Sequence, residues 1–133
     1  MISYDYTIRV PYGDVDRMGF LYHAHYVRYF DMARTELIRS LGITNLELEE
    51  QGVMLPVLKV DIDYGTPAHY DDLLTIRVTL RERPGVRCVF HYEVLREGET
   101  LTTGSVTLAF MNSATFKAIR PPKALLDVID RNM

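Results

Sequence analysis

The chain of 133 residues lacks tryptophan and has a single cysteine, Cys88. One cysteine excludes an internal disulfide. The first residues carry neither a basic nor an apolar stretch, so they do not indicate a secretory signal. No apolar run approaches the roughly 18 residues that a membrane-spanning helix needs. We therefore expect a protein of the reducing cytoplasm with no membrane partner.

The chain also has no excess of positive charge. Fifteen Lys and Arg residues stand against 18 Asp and Glu residues, for a net charge of −3, which argues against a nucleic-acid partner. The chain has no glycine-rich phosphate loop and no Gly-x-Ser-x-Gly elbow, so nucleotide hydrolysis and serine-hydrolase chemistry have no support. Its length predicts one domain over residues 1–133. So small a chain has little interior for a large ligand, which makes a dimer plausible.

One amphipathic pattern predicts a long helix from about residue 25 to residue 41, with Gly42 as its C-terminal stop. Apolar residues recur along it at spacings of three and four: Tyr26, Phe30, Ala33, Leu37 and Leu41. We expect this stripe to lie against a sheet. Charged residues are expected mostly on the other side of the helix: Asp31, Arg34, Glu36 and Arg39. A shorter helix is expected over residues 46–51.

Alternating apolar and polar residues predict five strands, over residues 4–12, 58–64, 74–80, 88–94 and 101–111. Pro84-Gly85 supplies a turn between the third and fourth strands, and Pro121-Pro122 opens a terminal helix. Consecutive hairpins imply an antiparallel sheet with one face covered by the long helix. The fold class is therefore α+β, and the pattern leaves the order of the strands open.

The densest motif lies between the first strand and the long helix. Asp16 comes a few residues before the helix N-terminus, where free backbone N–H groups and a partial positive charge are available. A carboxylate that activates water and amides that hold an oxyanion are the parts needed to hydrolyse an acyl group. From the residues alone, Asp14 and Asp16 are more simply explained as turn and cap residues.

Seven residues spread over fifteen positions resemble the signature of the 4-hydroxybenzoyl-CoA thioesterase branch of the hotdog-fold acyl-CoA thioesterases. They are Tyr12, Asp14, Asp16, Gly19, Tyr22, His23 and Tyr26. The resemblance covers nearly the whole chain. It implies a hotdog fold, a five-stranded antiparallel sheet wrapped around one long central helix. It also implies hydrolysis of an acyl-CoA or acyl carrier protein thioester without a cofactor, in a homodimer or homotetramer with sites at the subunit interface.

The resemblance also implies roles for single residues. Asp16 matches the catalytic carboxylate, as general base or nucleophile, and the backbone N–H of His23 matches the oxyanion donor. The His23 side chain and Tyr12 are further catalytic candidates that would orient the substrate or its water. Gly19 and Tyr22 are candidates for substrate binding. Asp14 is expected to be structural.

Coenzyme A carries phosphates, so basic residues are candidates for binding it. Arg83 and Arg87 flank the Pro84-Gly85 turn, and we place Arg87 ahead of Arg83. The common alternative is solubilising surface charge. A metal site is not expected, because His23 and His25 straddle a change from loop to helix, where side chains at this spacing diverge.

Two other functions stay open. One is an enoyl-CoA hydratase or dehydratase on the same fold, with His23 and Asp16 acting together. The other is a non-catalytic module that binds or senses acyl-CoA without releasing thiol.

Overall fold

The computed structural model describes residues 1–133. In chain order the strands are β1 (Ile2–Arg9), β2 (Val53–Met54), β3 (Val57–Tyr64), β4 (Leu73–Leu80), β5 (Arg87–Arg96), β6 (Glu99–Ala109) and β7 (Met111–Asn112). Five of them form one antiparallel sheet in the order β1-β4-β5-β6-β3, and β2 pairs with β7 separately. The predicted hairpin of the third and fourth strands is confirmed as β4 and β5.

The long helix α1 (His25–Ser40) packs across the inner face of this sheet. Its buried residues repeat at the predicted spacing: Tyr26, Tyr29, Phe30, Ala33, Leu37 and Ile38. Phe30 stacks on Tyr92 of β5 with ring centroids 4.2 Å apart. A Cβ built on Gly104 of β6 would lie 2.9 Å from the Phe30 ring, so the absence of a side chain there lets the helix approach the sheet. The expected α+β fold with one long central helix is confirmed.

Two shorter helices complete the chain. Helix α2 (Asn45–Glu50) is capped by the preceding residue, Thr44, whose hydroxyl accepts a hydrogen bond from the Glu47 backbone N–H. Helix α3 (Lys123–Asn132) follows Pro122 and buries Leu125 and Ile129. The last predicted strand is divided, because β6 ends at Ala109 and β7 begins at Met111.

Two expectations about single residues are wrong. The first strand ends at Arg9, and Tyr12 lies in a short 3-10 turn (Tyr12–Asp14) because the backbone turns away from the sheet there. Arg34 was expected on the polar side of the long helix, but its side chain is only 11% exposed. It follows Phe30 by four residues and precedes Ile38 by four, so it lies in line with the buried stripe.

Strand β3 is an open edge of the sheet, because it pairs with β6 on one side and with no strand on the other. Val60 and Tyr64 face Val106 and Thr102 across the β3–β6 pair, so their side chains lie on the inner face of the sheet. Val60 is nevertheless 37% exposed and Tyr64 49% exposed. The alternation predicts a half-buried strand, but Val60 and Tyr64 stay partly open to solvent on the face that should be covered.

Cys88 lies on the inner face of β5 and is buried. Burial raises the pKa of its thiol to about 12. A thiol that stays protonated is a poor nucleophile, so Cys88 is not a candidate for catalysis.

Candidate active site

The segment that carries Asp16 is a tight loop held at both ends. Asp16 donates its backbone N–H to Phe20, and its carbonyl accepts the N–H of Gly19. One carboxylate oxygen accepts the Met18 N–H at 2.8 Å. Gly19 has φ +83°, a left-handed conformation that favours glycine. Gly19 therefore shapes the loop, and the second carboxylate oxygen of Asp16 makes no hydrogen bond within the chain.

Asp14 fastens this loop to helix α1. Its buried carboxylate accepts a 2.6 Å hydrogen bond from the Tyr29 hydroxyl and a short bond from Arg28, and its carbonyl accepts the Tyr22 N–H. Burial raises the pKa of Asp14, but the combined effect of Tyr29, Arg28 and the nearby His25 is larger and holds that pKa below its usual value. This arrangement fits the structural role expected for Asp14.

The start of helix α1 offers free amide donors. The His25 N–H bonds to the Tyr22 carbonyl, and Ala24, the residue at the N-cap, provides no side-chain cap. No group of the chain accepts the backbone N–H of His23. The Tyr64 hydroxyl donates to the His23 carbonyl at 2.8 Å, which fixes the orientation of this peptide segment. An unpaired N–H at a helix N-terminus is suited to bind an oxyanion.

Asp16 and His23 line the same cleft, which has a volume of about 160 Å³. The cleft lies between the Asp16 loop, the first turn of α1 and the end of β3. Its other lining residues are Met18, Phe20, Leu21, Tyr26, Tyr64, Gly65, Thr66, Pro67 and Thr102. Most of these are apolar or aromatic, so the cleft combines one carboxylate with a largely apolar wall, as substrate sites do.

Two hydroxyls form the inner wall of this cleft. Tyr26 is 3% exposed and Thr102 is 2% exposed. Burial raises the pKa of Tyr26. The Ala68 backbone and the Thr102 side chain, which lie against its hydroxyl, lower this pKa by a smaller amount. Neither contact reaches normal hydrogen-bond geometry, and the Thr102 hydroxyl has no partner in the chain.

The structure brings together some of the expected site residues and separates others. Asp16 and His23 share the cleft. Tyr12 is 77% exposed and contacts Tyr70 edge to face, outside the cleft. Tyr22 packs beside the His23 ring, with centroids 4.4 Å apart, and does not line the cleft. Within one chain, Tyr12 and Tyr22 therefore do not face the space beside Asp16.

Arg83 and Arg87 lie at the opposite end of the sheet. They line a separate groove of about 270 Å³ together with Arg81 and His91. Arg87 pairs with Ala109, whereas the cleft residue Thr102 lies seven residues earlier on the same strand, a separation of about 23 Å. Arg83 is bound to Asp130 of α3 at 2.8 Å, while Arg87 has no ion-pair partner in the chain.

A second pocket of about 190 Å³ lies between α1, α2 and β2, beside Arg34 and Glu49. It contains a carboxylate and the start of α2 at Asn45, but α2 is a helix of six residues and its N-terminus is already capped by the Thr44 hydroxyl, which accepts the Glu47 N–H. No group of three or more His, Cys, Asp or Glu side chains converges to hold a metal ion. No helix is long and apolar enough to cross a membrane.

Sequence reasoning missed the roles of Thr102 and Tyr64 in this cleft. Thr102 alternates in phase with Val106 and Leu108 on the inner face of β6. A polar residue in this apolar row is visible in the sequence and could have indicated a functional position. Tyr64 was identified as a strand residue. Its position beside the helix start depends on β3 lying next to β6, an order that periodicity does not reveal.

Comparisons with known proteins agree with this architecture. A family model described as the thioesterase-like superfamily matches residues 10–129. The acyl-CoA thioesterase YbgC of Haemophilus influenzae is 34% identical over 122 residues, covering 91% of this chain and 90% of that protein. The acyl-CoA thioester hydrolase YbgC of Escherichia coli is 30% identical over 122 residues, covering 91% of each.

Solved structures extend the similarity to the fold. A DHNA-CoA thioesterase from Staphylococcus aureus superposes with a TM-score of 0.93 at 30% identity, covering 98% of this chain and 91% of that one. A 4-hydroxybenzoyl-CoA thioesterase mutant in complex with 4-hydroxybenzoyl-CoA gives a TM-score of 0.86 at 21% identity, covering 96% and 99%. The second likeness concerns the fold alone.

Proposed function

The chain belongs to the thioesterase-like superfamily, and from that premise we propose that it hydrolyses an acyl-CoA or acyl carrier protein thioester in the Asp16 cleft. The expected family and hotdog fold are confirmed, as is the expected class of enzyme, a thioester hydrolase. The products would be the free carboxylic acid and the thiol.

The observation that carries this proposal is the pairing of Asp16 with the unpaired N–H of His23 in one cleft. The free carboxylate oxygen of Asp16 would activate water or attack the thioester carbonyl itself. The carbonyl oxygen would receive the displaced electron pair and be stabilised by the amides at the start of α1. Breaking the C–S bond then releases the thiolate, which takes up a proton to become the thiol. If Asp16 itself attacks, water must then hydrolyse the acyl–Asp16 anhydride to release the acid. The His23 side chain borders the cleft and would orient the thioester, while Gly19 supports the loop.

The other two functions predict different chemistry. Hydration of an enoyl-CoA leaves the thioester intact, and a sensing module binds without turnover. Both therefore predict no free thiol.

We further propose a homodimer joined along the β3 edges, with the active sites at the interface. The unpaired edge of β3 and its exposed inner-face residues, Val60 and Tyr64, support a second copy as the missing cover. Tyr64 also lines the cleft, so a partner docked on β3 would help to enclose the substrate. Pairing of two dimers into a tetramer is compatible with this arrangement. Tyr12 and Tyr22 would contact substrate only from a neighbouring copy or after a local movement.

Arg87 and Arg83 remain our candidates for binding the phosphates of coenzyme A. Their distance from the cleft means that they would serve a site on another copy of the chain. A cytoplasmic location also remains part of the proposal, because the free thiol of Cys88 suits a reducing compartment.

The replacement Asp16→Asn tests the proposal. It keeps the shape of the side chain and removes its charge, so we expect kcat to fall about 10²–10⁴-fold in an assay of free thiol with butyryl-CoA and benzoyl-CoA. The control is Asp127→Asn, an exposed carboxylate of α3, which should leave kcat unchanged. A folded Asp16→Asn protein with the wild-type turnover would contradict the assignment of the site.

A further inference from the structure

The hydroxyls of Tyr26 and Thr102 have no role in the proposed function so far, yet they lie in the wall of the Asp16 cleft. We propose that the Tyr26 hydroxyl, supported by Thr102, holds the attacking water against Asp16, so that Asp16 acts as a general base and not as a nucleophile. This inference rests on the proposed function and adds the identity of the group that binds the water.

The Thr102 hydroxyl is buried and has no hydrogen-bond partner in the chain, which destabilises the fold unless a bound molecule satisfies it. The polar groups that meet at this point are the Tyr26 hydroxyl, the Thr102 side chain and the Ala68 backbone. Thr102 and the Ala68 backbone lie against the Tyr26 hydroxyl and lower its pKa, as hydrogen-bond donors do.

The Tyr26 hydroxyl makes no hydrogen bond within the chain, and Tyr26 lines the cleft that contains the free carboxylate oxygen of Asp16. A bound water needs a polar, roomy site and two to four polar partners. The cleft volume of about 160 Å³ is ample for one water beside a small acyl group. Asp16 would accept one proton of that water, and Tyr26 would donate to its oxygen.

The chemistry balances with water as the only co-reactant. One lone pair of the water oxygen forms the new bond to the thioester carbon, and Asp16 takes one of its protons. The electron pair of the carbonyl moves to its oxygen beside the amides of α1. When that pair returns, the C–S bond breaks and the thiolate takes the proton from Asp16. Tyr26 neither gains nor loses a proton in these steps, so its role is to bind and orient the water.

The test compares Tyr26→Phe with Tyr92→Phe. Tyr92 is a buried tyrosine of β5 whose hydroxyl has no hydrogen-bond partner, and it does not line the cleft. Without the Tyr26 hydroxyl the water is no longer held in place, so we expect kcat of Tyr26→Phe to fall about 10–100-fold with little change in KM. Tyr92→Phe should keep the wild-type kcat and KM. Thr102 acts through Tyr26 as a positioning residue. Thr102→Val should lower kcat to a smaller extent, and Thr102→Ser should restore it.

A second measurement separates the two roles of Asp16. In a rapidly quenched single turnover, a nucleophile leaves the acyl group on Asp16 as an anhydride, whereas a general base leaves the protein without an acyl group. An acylated Asp16, label in the Asp16 carboxylate after turnover in ¹⁸O-labelled water, or a wild-type kcat for folded Tyr26→Phe would overturn this inference. If Asp16→Asn is inactive while Tyr26→Phe is unaffected, only the water assignment fails. If Asp16→Asn is active, the proposed site itself fails.

Discussion

The Tyr29 hydroxyl donates a 2.6 Å hydrogen bond to the carboxylate of Asp14, and this bond joins the second turn of the central helix to the loop before it. Asp14 lies two residues before Asp16, and its carbonyl holds Tyr22 just before the helix start. The two halves of the candidate site, the carboxylate and the amide donors, are thus fixed relative to each other through one buried side chain.

The replacement Tyr29→Phe should destabilise the protein. It removes a buried hydrogen bond to a charged acceptor, so we expect the free energy of unfolding to fall by about 1.5–3 kcal/mol in urea denaturation. Tyr70→Phe is the control, since the Tyr70 hydroxyl makes no hydrogen bond and its side chain is 53% exposed. If the two replacements lowered the free energy of unfolding equally, the hydrogen bond to Asp14 would contribute no more to stability than an exposed hydroxyl.

Stability should fall in acid through Asp14. Its pKa is lowered in the folded state, so its contribution is present above the unfolded pKa of about 3.9 and is lost as the pH falls through the folded value. Asp5 and Asp72 behave in the same way. The measurement is therefore the difference in unfolding free energy between wild type and Asp14→Asn from pH 6 to pH 2. We expect the difference to shrink towards pH 2; a constant difference would contradict a role for the ionised carboxylate.

A charge on the β3 edge should prevent the proposed dimer. Lysine on an edge strand opposes pairing with another strand, so Val60→Lys should convert the dimer to a monomer in sedimentation equilibrium. Val89→Lys is a matched control, because Val89 is 38% exposed but lies on β5 inside the sheet. A dimeric Val60→Lys protein would exclude pairing along this edge.

The two arginines should differ in their effect on substrate binding. If Arg87 contacts the phosphates of coenzyme A, Arg87→Ala raises KM for an acyl-CoA, and the effect shrinks with added salt. Arg83→Ala should have a smaller effect, because Asp130 already neutralises that guanidinium. The same acyl group on pantetheine, which lacks the nucleotide, provides the control. A similar rise in KM for both substrates would argue against a phosphate contact.

Much of the fold could be predicted because its signals are local. The helix bounds follow from apolar spacing and Gly42, and the β4–β5 hairpin from alternation around a Pro-Gly turn. Strand order depends on contacts between distant residues, and so does the position of Tyr64 beside His23. Arg34 shows another limit, because a charged side chain at a stripe position can be mostly buried while its guanidinium pairs with an exposed carboxylate, here Asp31 at 3.5 Å.

The candidate site could be predicted only in part for a related reason. Asp16 and His23 lie in one short segment, so their proximity follows from the chain itself. Thr102 reaches the cleft from β6, and no local pattern places it opposite Tyr26. The exposed inner face at Val60 supports the proposal that a second chain completes the site, and a local sequence pattern carries no signal for such a surface.

The burial of Cys88 has a practical consequence for the thiol-release assays described above. A buried thiol with a raised pKa is shielded from maleimides and from disulfide-exchange dyes under native conditions. The colour developed in a thiol-release assay will therefore report product rather than enzyme. A cysteine engineered at an exposed position would likewise accept a fluorophore without competition from the native one.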